Sequence, residues 1–282
     1  MLVGHRPGFG ERVRKNGITV SGALTFQVPV RHCFDRIEML QAARPNLIFL
    51  STKTFHLAQI LEELKKVFQS GTKIVSTHNG LGTEDLIAET FGADAVFRMS
   101  LNYGASSKEP GEAEIAFFNR PNHLGSLTEK NKKLGVRIAE LLTNSGLDTH
   151  YVDDIKLYVW KKMVIKCTMA SLCAVTDRTL KEVIDFAPTR EIAENCFREA
   201  LAVAKAQGYD LGEEYIQTIL SYLEKVGAHK DSMCHDMARK APTEIDFLGG
   251  KVVEYARQHG IATPFFIAMT NLVKAIEDGY LH

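Results

Sequence analysis

Four short stretches hold residues able to do chemistry together: "STKTF" (51–55), "THNGLG" (77–82), "WKKMVIKC" (160–167) and "DSMCHDMARKAPTEIDFLGG" (231–250). Lys162 and Lys166 are four apart, so on a helix both project from one face. Trp160, Met163, Val164 and Cys167 mark the apolar side of that helix and set Lys162 at its border. A desolvated ammonium beside a second cation has a lowered pKa and can deliver a proton near neutrality. Spacing alone also describes two lysines on a solvated face, which is the commoner case. Ser232 can hold a carboxylate. Glu244 opens an apolar-periodic helix at "TEID", where it can pair with a lysine or a substrate hydroxyl. The helix dipole by itself also favours an acid there.

The elements around these stretches say where they stand. Leu47–Leu50 is a short apolar run after Pro45 and reads as a buried parallel strand that runs into Lys53. "HLAQILEELKKVF" has helical spacing, "TKIVST" is the next strand, and it runs into Asn79. In an open α/β sheet ligands sit at the carboxyl ends of the strands, which is where Lys53 and Asn79 fall. Gly80 and Gly82 let the backbone approach a bound group, although "NGLG" alone is an ordinary turn. "TEDLIAETFG" reads as a helix, "DAVFRMSLNYG" and "AEIAFFN" as strands, 128–142 as a helix and "LDTHYV" as a strand. This rhythm predicts a Rossmann-like, doubly wound α/β sheet over 1–153. Beyond Asp153 it stops. Helical patterns cover the lysine stretch, 189–208, 213–226, 243–259 and 265–277, so 154–282 reads as an all-α domain.

Composition narrows the function. Lys+Arg and Asp+Glu both number 34, and this balance gives no support for nucleic acid or an anionic membrane as partner. No apolar run approaches the ~18 residues of a membrane span, and His5, Arg6 and Gly8 stand where a secretory signal would need an apolar core. Five cysteines without C-x-x-C spacing read as small buried apolar residues in a cytoplasmic protein. His229, Cys234 and His235 match no zinc spacing, and Ser232 with His235 lacks a nucleophile elbow, so no metal and no triad are expected. The oligomeric state is open; a homodimer is one expectation.

In this order, "STKTF", "THNGLG", "EPGE", "WKKM", "DSM…TEID" and "HGIATP" resemble the ketopantoate reductases over nearly the whole chain. The resemblance implies an NADPH-binding Rossmann domain, a helical domain and an active site in the cleft between them. It implies reduction of 2-dehydropantoate to pantoate, with Lys162 polarising the 2-oxo group and supplying the proton. Asn79 would lie beside cofactor and reacting centre, with Gly80. Ser232 would bind the substrate carboxylate, Glu244 would pair with Lys162 or hold the substrate hydroxyl, and Lys53 would serve the cofactor side. Arg6, with Arg12 as the less favoured choice, would meet the extra phosphate of NADPH through bidentate bonds.

Two departures from the family pattern carry expectations of their own. The family opens with a strand and G-x-G-x-x-G upstream of where this sequence starts, which predicts a reductase shortened at its N-terminus. The family also places asparagines four and eight residues after the catalytic lysine; here Lys166 and Ala170 stand there. Lys166 would hold a carboxylate as a point charge, which leaves another 2-oxo acid, including a more acidic one, open as the substrate. A non-catalytic paralogue is the reading from a different class.

Overall fold

The computed structural model describes residues 1–4, 8–107, 109–226 and 229–282. Two compact units form it. The first comprises Met1–Thr52, His56–Thr77 and Glu84–Ile155; the second comprises Lys53–Phe55, His78–Thr83 and Lys156–His282. The strand-end segments with Lys53 and Asn79 therefore group with the helical half of the chain.

The first unit runs β1 (Leu2–Val3), α1 (Phe9–Asn16), β2 (Ile18–Gly22), β3 (Phe26–Val28), β4 (Cys33–Phe34), α2 (Leu40–Ala43), β5 (Leu47–Leu50), α3 (Leu57–Lys65) and β6 (Lys73–Ser76). It continues with α4 (Thr83–Phe91), β7 (Val96–Ser100), β8 (Tyr103–Ser107), β9 (Glu112–Phe118), β10 (Asn122–Ser126), α5 (Lys132–Asn144) and β11 (Thr149–Tyr151). The main sheet has the order β11-β10-β7-β6-β5. Its β5, β6 and β7 are parallel, β10 runs antiparallel to β7, and β11 is parallel to β10. Successive side chains on a strand point to opposite faces. Ile74 and Val96 accordingly join Leu57, Leu61, Leu64 and Ile87 in one core, while Val75 and Phe97 join Met99, Leu124 and Ile138 in another. All five residues of β7 are buried, Arg98 among them.

The βα alternation is present, but the strands divide among three sheets. A second sheet has the order β3-β2-β9-β8, and β1 pairs with β4 alone. "DAVFRMSLNYG" is thus two strands in two sheets rather than one. The chain changes sheet at Asn102, whose N–H donates to Asn122 Oδ1 (2.8 Å) and whose side-chain amide donates to the Pro121 carbonyl (2.6 Å). Those bonds stand in for the ladder that is lost there.

The second unit is helical: α6 (Ile155–Thr176, beginning one residue before it), α7 (Leu180–Asp185), α8 (Ala187–Ala206), α9 (Tyr215–Val226), α10 (Ser232–Ala238), α11 (Gly249–Gln258) and α12 (Pro264–Leu281). The sequence pattern predicts a single helix over 243–259. The structure instead forms a 3-10 turn at Ile245–Phe247 and starts α11 at Gly249, because Leu248 leaves helical geometry at φ −107°, ψ −106°. The short α10 lies within the stretch read from sequence as a loop or helix start. Asp231 caps it by accepting from the Met233 N–H at 2.9 Å. No helix among the described residues is long and apolar enough to cross a membrane.

Candidate active site

The site is built on α6. Its Met163, Val164, Cys167, Thr168 and Met169 are all buried, which fixes the helix, and Lys162 and Lys166 are half-buried. Neither lysine stands on an open solvated face. Lys162 Nζ donates to Asn79 Oδ1 at 2.7 Å. One turn further on, Lys166 Nζ donates to Asp231 Oδ2 at 2.6 Å and to Ser232 Oγ at 2.9 Å. The Tyr215 hydroxyl, from α9, donates to the Lys161 carbonyl and ties this turn of α6 in place.

Ser232 and Asp236 are four apart on α10 and so share a face. Ser232 reaches Lys166, and Asp236 reaches Lys53 at 2.5 Å. Lys53 also lies 3.4 Å from Glu244 Oε2, and the Thr54 N–H donates to Glu244 Oε1 at 2.9 Å. The resemblance offered Lys162 or a substrate hydroxyl as the partner of Glu244. The structure corrects the first: its carboxylate is taken by Lys53 and the Thr54 amide. Lys53, expected on the cofactor side, pairs with Asp236 and Glu244. Burial opposes the charge on Lys53, but Glu244 and Asp236 outweigh it and raise the pKa above the ordinary lysine value. Asp231 behaves likewise: burial opposes ionisation, yet the Lys166 ammonium, with the Met233 amide and Ser232, holds the carboxyl below the usual range.

The loop with Asn79 is held against the 3-10 turn that follows Glu244. The Leu81 N–H donates to the Phe247 carbonyl at 2.9 Å. At Gly80 an added Cβ would come 2.9 Å from Phe247 Cβ and 3.1 Å from its carbonyl oxygen, so only glycine permits this approach. Gly82 has φ +73° and completes the turn into α4.

Arg6 lies outside the described residues. Arg12 pairs with Glu109 at 3.1 Å, with both side chains exposed. All five cysteines are buried and unbridged. Burial raises their thiols, Cys234 to about 11 and Cys196 to about 12, so neither is a thiolate near neutrality. Among the described residues no group of three or more His, Cys, Asp or Glu is placed to hold a metal ion.

Sequence reasoning missed Asp231, Asp236 and the Thr54 amide. Asp231 had a readable signal, an N-cap acid just before the periodic Met233, Cys234 and Met237. The Thr54 amide had none.

Comparison with known proteins agrees with this architecture. Residues 1–129 match the family model "Ketopantoate reductase PanE/ApbA", and residues 154–277 match its C-terminal model. The 2-dehydropantoate 2-reductase of Streptococcus pyogenes serotype M1 is 30% identical over 269 residues, spanning 94% of this chain and 86% of that protein. The chain belongs to the ketopantoate reductase family. A second relative, the 2-dehydropantoate 2-reductase of Lactococcus lactis, is 26% identical over 95% of this chain and 85% of its own length. Two solved structures share the fold. The 2-dehydropantoate 2-reductase from Geobacter metallireducens has a TM-score of 0.89 at 24% identity, over 97% of this chain and 91% of that one. A D-mandelate dehydrogenase solved with NADH and anilino(oxo)acetate has a TM-score of 0.89 at 22% identity, over 99% and 91%.

Proposed function

We propose that this family member catalyses the NADPH-dependent reduction of a 2-oxo acid to its 2-hydroxy acid, with 2-dehydropantoate as the substrate and pantoate as the product. The observation that carries the reading is the Lys162–Asn79 pair, set one helical turn from the Lys166–Ser232 pair. A proton donor for a carbonyl oxygen thus stands beside a donor for the adjoining carboxylate, which is the arrangement of polar groups in a 2-oxo acid.

The residues also fit a nicotinamide cofactor. Asn79 gives its Oδ1 to Lys162, and its amide nitrogen takes no partner among the described residues. That leaves a donor for a carboxamide or a reacting carbonyl oxygen at the position three residues past the end of β6, where α/β sheets bind nucleotides. When bound, the dihydronicotinamide supplies a hydride to C2 of the substrate. Lys162 polarises the C2 carbonyl through its ammonium and passes a proton from Nζ to the oxygen, leaving a neutral amine that solvent reprotonates. Asn79 holds Lys162 in position. Ser232 donates to the substrate carboxylate. Glu244, anchored by Lys53 and the Thr54 amide, is assigned to the substrate hydroxyl, and Gly80 to the cofactor side. Arg6 is assigned to the 2′-phosphate by resemblance.

Ala170, fully buried on α6, offers no hydrogen bond to a substrate hydroxyl. This favours a second reading, in which the same chemistry acts on another 2-oxo acid. The test is NADPH oxidation by the full chain with 2-dehydropantoate against a panel of 2-oxo acids, in the wild type and Lys162→Ala. Loss of the proton donor should lower kcat by about 10²- to 10⁴-fold. A Lys162→Ala variant as active as the wild type refutes the assignment, and no turnover of any 2-oxo acid refutes the reductase reading.

A further inference from the structure

Lys166 is the one residue of the site whose charge points to a substrate with additional negative charge, and the structure shows what that charge meets. Lys166 Nζ lies 2.6 Å from Asp231 Oδ2, with the two side chains 16% and 9% exposed. Asp231 is fixed in turn by its role as the cap of α10, its Oδ1 accepting from the Met233 N–H at 2.9 Å. The ion pair is therefore built into the fold and is close to neutral as a unit.

The second consequence concerns Ser232. An ammonium has only donors, so the 2.9 Å contact makes Ser232 Oγ an acceptor from Lys166. The serine hydrogen must then point elsewhere. The protein acceptor in reach is Asp231 Oδ1 at 3.4 Å, which is long for a hydroxyl donor and already serves Met233. A ligand oxygen that comes closer takes this hydrogen. Lys166 thus aims Ser232 as a donor, while Asp231 cancels the charge of the lysine that aims it.

We propose that Asp231 is a positioning residue that sets the specificity of this subsite: by neutralising Lys166 it restricts the site to 2-oxo acids bearing a single carboxylate and works against 2-oxo diacids. The proposal rests on the reading of the site as a 2-oxo acid reductase. A second carboxylate drawn in beside the one that Ser232 holds would lose its hydration without gaining an unmatched cation, and that loss is the basis of the discrimination.

Asp231→Asn tests this cleanly. Asparagine caps helices as well as aspartate and keeps the acceptor for the Met233 amide, so the substitution keeps the cap while it removes both the charge and the oxygen that accepts from Lys166. The full chain is assayed with NADPH and NADH on a 2-oxo monoacid, 2-dehydropantoate or 2-oxoisovalerate, and on a diacid, 2-oxoglutarate or oxaloacetate. The wild type should prefer the monoacids. Asp231→Asn should shift the monoacid-to-diacid ratio of kcat/KM toward the diacid by about tenfold or more, through KM of the diacid and not kcat. The double variant Lys166→Met with Asp231→Asn, again without net charge, should restore the monoacid preference. A ratio unmoved by Asp231→Asn, or a wild type that prefers diacids, overturns the inference and leaves the reductase reading standing. Absence of turnover with every 2-oxo acid overturns the reductase reading and this inference with it.

Discussion

Removing the charge of Glu84 should destabilise the first unit far more than a surface substitution would. Arg98 Nε lies 3.2 Å from Glu84 Oε2, with the side chains 1% and 3% exposed. Arg98 Nη1 also donates to the Ser76 carbonyl, Ser76 Oγ and the Met99 carbonyl at 3.2–3.4 Å. Burial works against the guanidinium charge, and Glu84, followed by Asp85, is what supports it. Glu84→Gln keeps the shape and an acceptor but leaves a fully buried cation with Asp85 as its remaining source of negative potential. Breaking one side of a buried pair costs about 3–5 kcal/mol. With a urea m-value of about 2 kcal/mol/M, that lowers the unfolding midpoint by about 1.5–2.5 M. Replacing both partners by apolar residues of similar size, Arg98→Met with Glu84→Met, should cost less than the single change, because no buried charge is left behind. The assay is urea unfolding of the wild type, both single variants and the double. A Glu84→Gln loss below about 1 kcal/mol, in the range of surface pairs, would refute the account of Arg98 as a buried ion held by Glu84. Glu84 stands in the first turn of α4, next in sequence to the loop that carries Asn79 and Gly80. A partial loss of activity in Glu84→Gln under native conditions would therefore follow from the same cause.

Other expectations follow from particular contacts. Gly80→Ala places a Cβ against Phe247 Cβ and its carbonyl oxygen, neither of which can swing aside. It should lower kcat/KM by about 10- to 100-fold while the melting temperature changes little, as expected for a displaced catalytic loop; unchanged kinetics would show that the loop position is immaterial. The lowered pKa of Asp231 predicts an acid-labile contribution to stability. Its unfolded value is about 3.9, so the contribution is complete at neutral pH and is lost as pH falls from about 4 through the lower folded value. Urea unfolding at a series of pH values should show wild type and Asp231→Asn converging as pH falls below about 4; a constant gap would contradict the ion pair.

Periodicity along the chain was enough to separate an α/β half from a helical half. Leu47–Leu50 and 73–76 alternate between two cores, and the helices 187–206 and 215–226 bury one stripe each, patterns set by residues near one another in sequence. The spacing of Lys162 and Lys166 likewise placed both on one helical face. Sheet membership was not readable in this way, because the break at Asn102 depends on Asn122 and Pro121, some twenty residues away. The charge states of the site were hidden for the same reason. Lys166 read from sequence as an added positive charge, yet Asp231, separated by 65 residues, matches it at 2.6 Å. Lys53 read as a cofactor residue, yet Asp236 and Glu244, 183 and 191 residues away, hold it. Local periodicity records which side of an element faces apolar surroundings, whereas the partner of a charge depends on distant segments meeting. The residue types able to do chemistry were therefore set by the sequence alone, and only the tertiary structure decided which of their charges are cancelled and which donors are left for a substrate.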